Sequence, residues 1–138
     1  MIQNKPIILV DPYPRTMDLL FSKANLKYLK KNFKLITAPN KNKNNFYEKN
    51  LFKADYIFGQ PNLPTSLISK STKLKAIFNV ESNFMDNMDY DYCFRKGIHV
   101  LATSPVFAQP VAEMAIGLTL SIARSIHIAH SDLSLIHI

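Results

Sequence analysis

The chain has 138 residues, 47% of them apolar and 20% charged, which suits one globular domain and is too apolar for a disordered chain. Its three glycines, Gly59, Gly97 and Gly117, lie far apart, so no G-x-G-x-x-G, P-loop or G-x-S-x-G can be built from them. The single cysteine, Cys93, excludes an internal disulfide and a cysteine-cluster zinc site. The net charge of +7 is unevenly spread: residues 1–75 carry 14 basic and 4 acidic side chains, residues 76–138 carry 3 and 6. With 14 lysines against 3 arginines and 12 asparagines, the basic half reads as a solvated surface and not as a nucleic-acid face, since arginine is the preferred reader of phosphate and base. No signal-peptide pattern follows Met1, and a cytoplasmic location is expected.

Lys5 to Val10 is a short apolar run stopped by Asp11-Pro12, the pattern of a buried strand followed by a loop. Thr16 to Lys31 places apolar residues at 19, 20, 26 and 29, which predicts one amphipathic helix. Phe33–Thr37 predicts a second strand, Pro39–Asn45 a polar loop and Phe46–Leu51 a short helix. Asp55–Phe58 predicts a third strand, stopped by Gly59-Gln60-Pro61, and Pro64–Lys70 a short helix. Lys75–Asn79 predicts a fourth strand. Asp89–Lys96 predicts a helix capped by Asp89, with Gly97 at the position where helices end, and Ile98–Leu101 a fifth strand. Strands alternating with helices predict a parallel sheet in an α/β fold.

The segment from Pro110 to about Ala129 is apolar almost all round and predicts one long helix with Pro110 as its first residue. Glu113 and Arg124 interrupt it, leaving ten uncharged residues between them, so a buried or interface helix is expected and not a membrane span.

Four stretches in order resemble the N-terminal part of the D-isomer-specific 2-hydroxyacid dehydrogenases. They are Leu74-Lys75-Ala76-Ile77; the loop from Asn79 to Asp89 (NVESNFMDNMD); Arg95-Lys96-Gly97-Ile98-His99-Val100; and Val111-Ala112-Glu113 continuing through Gly117-Leu118 to Ala123-Arg124. Ala54–Gly59 fits an earlier strand of the same family. The resemblance implies a flavodoxin-like parallel sheet with flanking helices. Residues 1–104 would form the substrate-binding domain. Residues 105–132 would be the crossing and hinge helix into a nucleotide-binding domain that this chain lacks. The implied reaction is hydride transfer between a small 2-hydroxy acid and NAD or NADP, giving a 2-oxo acid, in a homodimeric parent that binds neither nucleic acid nor membrane. The cofactor fingerprint, the carboxylate-clamping arginine and the acid-base pair of the family are missing, so the chain alone is expected to bind no cofactor and to be inactive.

The resemblance also implies the site. Glu81, Ser82, Asn83 and Phe84 follow the fourth strand at its carboxyl end, where backbone N–H groups can hold a carboxylate. Many family members have glycines here. Asn83 and Gln109 are expected near the cofactor, and Gln109 and Glu113 beside the cleft; no residue of the chain is expected to be catalytic. A metal site is not expected: Asp86, Asp89 and Asp91 read as surface and capping residues, and His127 and His130 find no third ligand. His99 and Cys93 read as packed residues. Leu133–Ile138 (LSLIHI) matches the translation of a sequencing-adapter end, CTG-TCT-CTT-ATA-CAC-ATC, and is read as a scar that truncates the gene. The alternative is a receiver-like or small flavodoxin-like binding module, suggested by Val10-Asp11. It fails on the missing second acid, on the aspartate absent from the third strand's end and on the lysine absent after the fifth.

Overall fold

The computed structural model describes residues 5–81 and 83–136. It divides into two units, residues 1–103 and 104–138. The first unit holds five strands: β1 (Ile7–Asp11), β2 (Lys34–Thr37), β3 (Tyr56–Gly59), β4 (Ala76–Phe78) and β5 (His99–Leu101). All pairings are parallel and the order is β2-β1-β3-β4-β5, the flavodoxin-like arrangement expected from the sequence. Its helices are α1 (Met17–Leu20), α2 (Lys23–Asn32), α3 (Lys43–Asn50), α4 (Thr65–Ile68) and α5 (Tyr90–Arg95), with a 3-10 turn at Leu51–Lys53.

The register places Ile36, Leu9, Ile57, Ile77 and Val100 in one row across the sheet. On this face Leu9, Ile57 and Ile77 are fully buried, and they form the core with Tyr47, Leu51, Leu63, Ile68, Cys93 and Ile98. The opposite face carries Ile8, Val10, Tyr56, Phe58 and Phe78. With Met17, Phe21, Leu29, Phe33 and Leu35 these residues line an open apolar groove of about 400 Å³. Neither α1 nor α2 buries a residue, so one face of the sheet is finished and the other only partly covered.

Several boundaries correct the sequence reading. The helix expected over 16–31 is two helices. Ser22 caps the second by accepting the Asn25 N–H at 3.2 Å, and Phe21 is extended, its ring 5.1 Å from that of Phe58. Aromatic packing and a serine cap outweigh an apolar spacing that runs across the break. Helix α3 begins at Lys43, three residues before the expected Phe46, with Asn42 in the left-handed region (φ 59°) and Lys43 drawn to Asp11. The Asp89 cap stands as expected: its side chain accepts the Tyr92 N–H at 2.8 Å. Thr65 also donates to this carboxylate, and these two bonds, the Thr65 bond first, hold the Asp89 carboxyl below its ordinary range. Cys93 is buried as expected, and that burial pushes its thiol pKa up. His99 is exposed and not packed, because β5 is the sheet edge.

The second unit contains α6 (Ser104–Ala123) and α7 (Ile126–Ile136). The expected start at Pro110 is corrected: α6 begins six residues earlier, and Pro110 lies inside it. Ser104-Pro105 is the start signal, since a proline in the first turn gives up an N–H that has no partner there anyway. The expected single helix to Ala129 is broken at Ser125 (φ 52°). Residues 133–136 lie in α7, and His137 and Ile138 are outside the described residues.

Among the described residues the buried Tyr47 hydroxyl has no hydrogen-bond partner of ordinary geometry. Burial first, and the Asp11 carboxylate second, hold its pKa far above the usual 10.0. A tyrosine raised in the folded state contributes stability below pH 10, where both states are protonated, and loses it as the unfolded chain ionises. Tyr47→Phe is therefore expected to change stability at pH 7 by no more than about 1 kcal/mol, since it removes a buried hydroxyl without a well-formed bond but also its contact with the Asp11 carboxylate. Its stability relative to the native chain should rise above pH 10. Thermal melts of both forms across pH 7–11 check this; a variant that melts well below the native chain at pH 7 would refute it.

Candidate functional site

The order of strands reverses between β1 and β3, and open α/β sheets bind ligands beside that point, beyond the carboxyl ends of the strands. The loops that follow β1, β3 and β4 meet at this edge. The hub is Gln60, just after β3. Its Oε1 accepts the Glu81 N–H at 3.3 Å and its Nε2 donates to the Asn83 carbonyl at 2.9 Å, so one side chain ties Glu81 and Asn83 to the end of β3. Lower down, the Asn87 amide donates to the Pro61 carbonyl at 2.7 Å, and the Leu63 N–H donates to the Asn87 carbonyl at 2.7 Å. From the β1 side, Arg15 Nε donates to Glu81 Oε1 at 3.3 Å.

A charged cluster supports the β1 side. Asp11 ends β1, is only 5% exposed, and accepts from Lys43 Nζ at 2.7 Å. Lys43 also lies 4.9 Å from the centre of the Tyr13 ring. Asp11 pairs across the sheet with Gly59, whose φ of 152° is open to glycine alone. At the end of β4, Asn79 is 3% exposed, and among the described residues neither atom of its amide has a hydrogen-bond partner.

The expected site residues divide as follows. Glu81 is half-buried and tied to Arg15 and Gln60. Ser82 lies outside the described residues. Asn83 is exposed, and Phe84, 60% exposed, stands edge-on to Tyr90 with ring centres 5.5 Å apart. Among the described residues no hydrogen bond engages the backbone N–H groups of Asn83 and Phe84, and both residues are exposed. Tyr90 braces the turn from below, its hydroxyl donating to the Met85 carbonyl at 2.6 Å; burial raises the Tyr90 pKa. Gln109 belongs to the other unit, where its amide donates to Glu113 Oε1 one helical turn on, at 2.8 Å. Among the described residues no three of His, Cys, Asp and Glu gather as a metal would require.

Arg15, Gln60 and Asn79 escaped the sequence reading. Arg15 and Gln60 lie in loops whose proximity depends on strand order, and no local pattern encodes that. The stop signal Gly59-Gln60-Pro61 did mark the loop, but not the part its glutamine plays.

No protein-family model and no curated protein matches the chain. Solved structures do. A phosphoglycerate oxidoreductase from Rhizobium etli superposes with a TM-score of 0.71 at 38% identity, over 88% of this chain and 38% of that one. An NAD⁺-bound 3-phosphoglycerate dehydrogenase from Entamoeba histolytica gives 0.61 at 21% identity, over 85% of this chain and 39% of that one. An NADPH-dependent glyoxylate/hydroxypyruvate reductase from Sinorhizobium meliloti gives 0.57 at 23% identity, over 85% and 34%. The last two likenesses are of fold alone, and the chain spans well under half the length of each relative. With this strand order and 38% identity to the phosphoglycerate oxidoreductase, the chain is similar to part of a D-2-hydroxyacid dehydrogenase.

Proposed function

We propose that the first unit holds the carboxylate of a small 2-hydroxy or 2-oxo acid on the 81–84 turn, within an oxidoreductase that moves a hydride between C2 of that acid and NAD or NADP. The observation that carries this reading is the pair of unengaged N–H groups at Asn83 and Phe84, held at the carboxyl edge of the sheet by Gln60. Two adjacent backbone donors suit a carboxylate, and fixing them beforehand spares the ligand the cost of ordering the turn. In this reading residues 1–104 are the substrate domain, and residues 105–132 cross to a nucleotide-binding domain. The parent is a cytoplasmic homodimer that binds neither nucleic acid nor membrane. By length and composition alone α6 could span a bilayer, but Glu113 lies in its middle. The receiver-like alternative gains nothing, since Gly59 and not an acid ends β3.

The cofactor does not fit these residues. A dinucleotide pyrophosphate needs a glycine-rich turn opening onto a helix, and the three isolated glycines cannot form one. Gln109 spends its amide on Glu113, and Asn83 gives its carbonyl to Gln60. Cofactor binding, carboxylate clamping by arginine and acid-base chemistry are therefore assigned to residues outside this chain. The chain alone should turn over no 2-oxo acid with NADH or NADPH.

The test is a titration of the ¹⁵N-labelled chain with D-glycerate. The Asn83 and Phe84 amides should shift most. Gln60→Leu, which frees the turn without touching ligand, should weaken binding about tenfold, the effect of losing one or two positioning hydrogen bonds. Glycerate shifts confined to other parts of the sheet would show that the turn is only a connection.

A further inference from the structure

The open face of the sheet has a bare strip the width of a helix. Along the row that pairs Val10, Phe58, Phe78 and Leu101, cover falls away strand by strand: Val10 is buried, Phe58 half-buried, Phe78 37% exposed and Leu101 47% exposed. Phe21 and Phe33 reach Phe58 and Tyr56 from the α1–α2 side, with ring centres 5.1 and 6.1 Å apart, and the strip lies beyond them. Neighbouring strands are about 4.8 Å apart and a helix is about 10 Å across, so the strip over β3–β5 admits one helix. Parallel sheets are covered on both faces, and this one lacks that cover.

Helix α6 has the matching surface. It runs for 20 residues, and all of them but one are exposed. Ala112, Ile116, Leu120 and Ala123 recur at spacings of four, four and three, which sets them on one side of the helix; Ile116 is 62% and Leu120 54% exposed. The two alanines let the helix axis come close to an aromatic floor. Charge chooses among partners. Residues 1–103 carry 16 basic and 8 acidic side chains, net +8, whereas residues 104–138 carry 1 and 2, net −1. Two first units repel each other, and a helical unit of −1 meets a +8 surface without that repulsion.

We propose that α6 of one copy docks by its 112–123 side on the β3–β5 strip of a second copy, and that the exchange is reciprocal. A reciprocal exchange is two-fold and closes at a dimer, whereas a one-way contact would run on into filaments. It hides four apolar surfaces of several hundred Å² each, on the order of 1,200–1,600 Å² together, the class of stable dimers. The contact is independent of the 81–84 turn.

Sedimentation velocity of the 138-residue chain tests this with two blocked forms. Phe78→Lys with Leu101→Lys blocks the strip, and Ile116→Lys with Leu120→Glu blocks the helix. The native chain should dimerise at micromolar concentration, and each blocked form should associate at least about a hundredfold more weakly. An equimolar mixture of the two should dimerise again at about 0.1 mM, because each supplies the half that the other lacks, through one contact in place of two. With the helix-blocked form ¹⁵N-labelled in that mixture, the amides of 56–58, 76–78 and 99–101 should shift most. All four altered positions are exposed, and an unchanged spectrum elsewhere confirms that the variants fold. Should the strip-blocked form not fold, Leu101→Lys alone, at the sheet edge, carries the same test. A strip-blocked form that dimerises as the native chain does would set α6 against α6 and overturn the proposal. So would a mixture that stays monomeric, or a native chain that is monomeric throughout.

Discussion

Gly59→Ala is expected to destabilise the first unit by about 2–4 kcal/mol, through backbone strain and overpacking together. The φ of 152° is costly for any side chain, and a Cβ at this position would run into the Asp11 carbonyl and approach the Asp11 Cβ to 3.0 Å. Neither partner can move cheaply. Asp11 is paired with Gly59 in the sheet and is held by Lys43 at 2.7 Å. Urea unfolding should show a midpoint lower by about 1–3 M, given the slopes usual for a domain of this size. Lys43→Met, which leaves the buried Asp11 carboxylate unpaired, should be destabilising in its own right. A midpoint unmoved by Gly59→Ala would show that the β1–β3 junction relaxes around the added carbon.

The second large effect concerns α6. All of its residues but one are exposed, among them Val111, Met114, Ile116, Leu118, Leu120 and Ile122 at 54–71%. Four such side chains presented together make a patch on the order of several hundred Å², the size that marks an interface or an aggregation site. At roughly 25 cal/mol per Å², burying it repays several kcal/mol before the costs of association. The chain is expected to self-associate at micromolar concentration despite its charge of +7. Ile116→Lys with Leu120→Glu should return it to a monomer, which also gives the titrations above a monodisperse sample. Sedimentation velocity decides the matter. A monomeric native chain that binds no apolar dye would contradict the expectation.

The fold was legible because the strands are continuous apolar runs, bounded by Asp11-Pro12, Gly59-Gln60-Pro61 and Gly97, and because parallel sheets bury such runs on both faces. The Asp89 cap was legible for the same local reason. Helix limits were not. Phe21 leaves its helix to pack on Phe58, Lys43 starts one early to reach Asp11, and Ser125 turns left-handed between two apolar helices; each obeys a contact or backbone choice that spacing does not record. At the site, the 81–84 turn followed from the family resemblance. Arg15 and Gln60 meet it only because β1 and β3 lie side by side, with 21 residues separating Gln60 from Glu81 and 66 separating Arg15 from Glu81.

The uneven covering of the sheet sets a gradient of local stability. Leu9, Ile57 and Ile77 are sealed beneath α3, α4 and α5, whereas α1 and α2 bury nothing. Helices of that kind open at a fraction of the cost of global unfolding, so their amides should exchange with solvent well before those of β1, β3 and β4. Arg15 rides on the loop leading into α1, while Glu81, Gln60 and Asn83 are anchored to β3 and β4. Arg15 and the Glu81 it reaches therefore belong to regions of different rigidity. A ligand that bridges them must order the softer half as it binds, and part of its affinity appears as slower exchange in α1 and α2, at helices that it never touches.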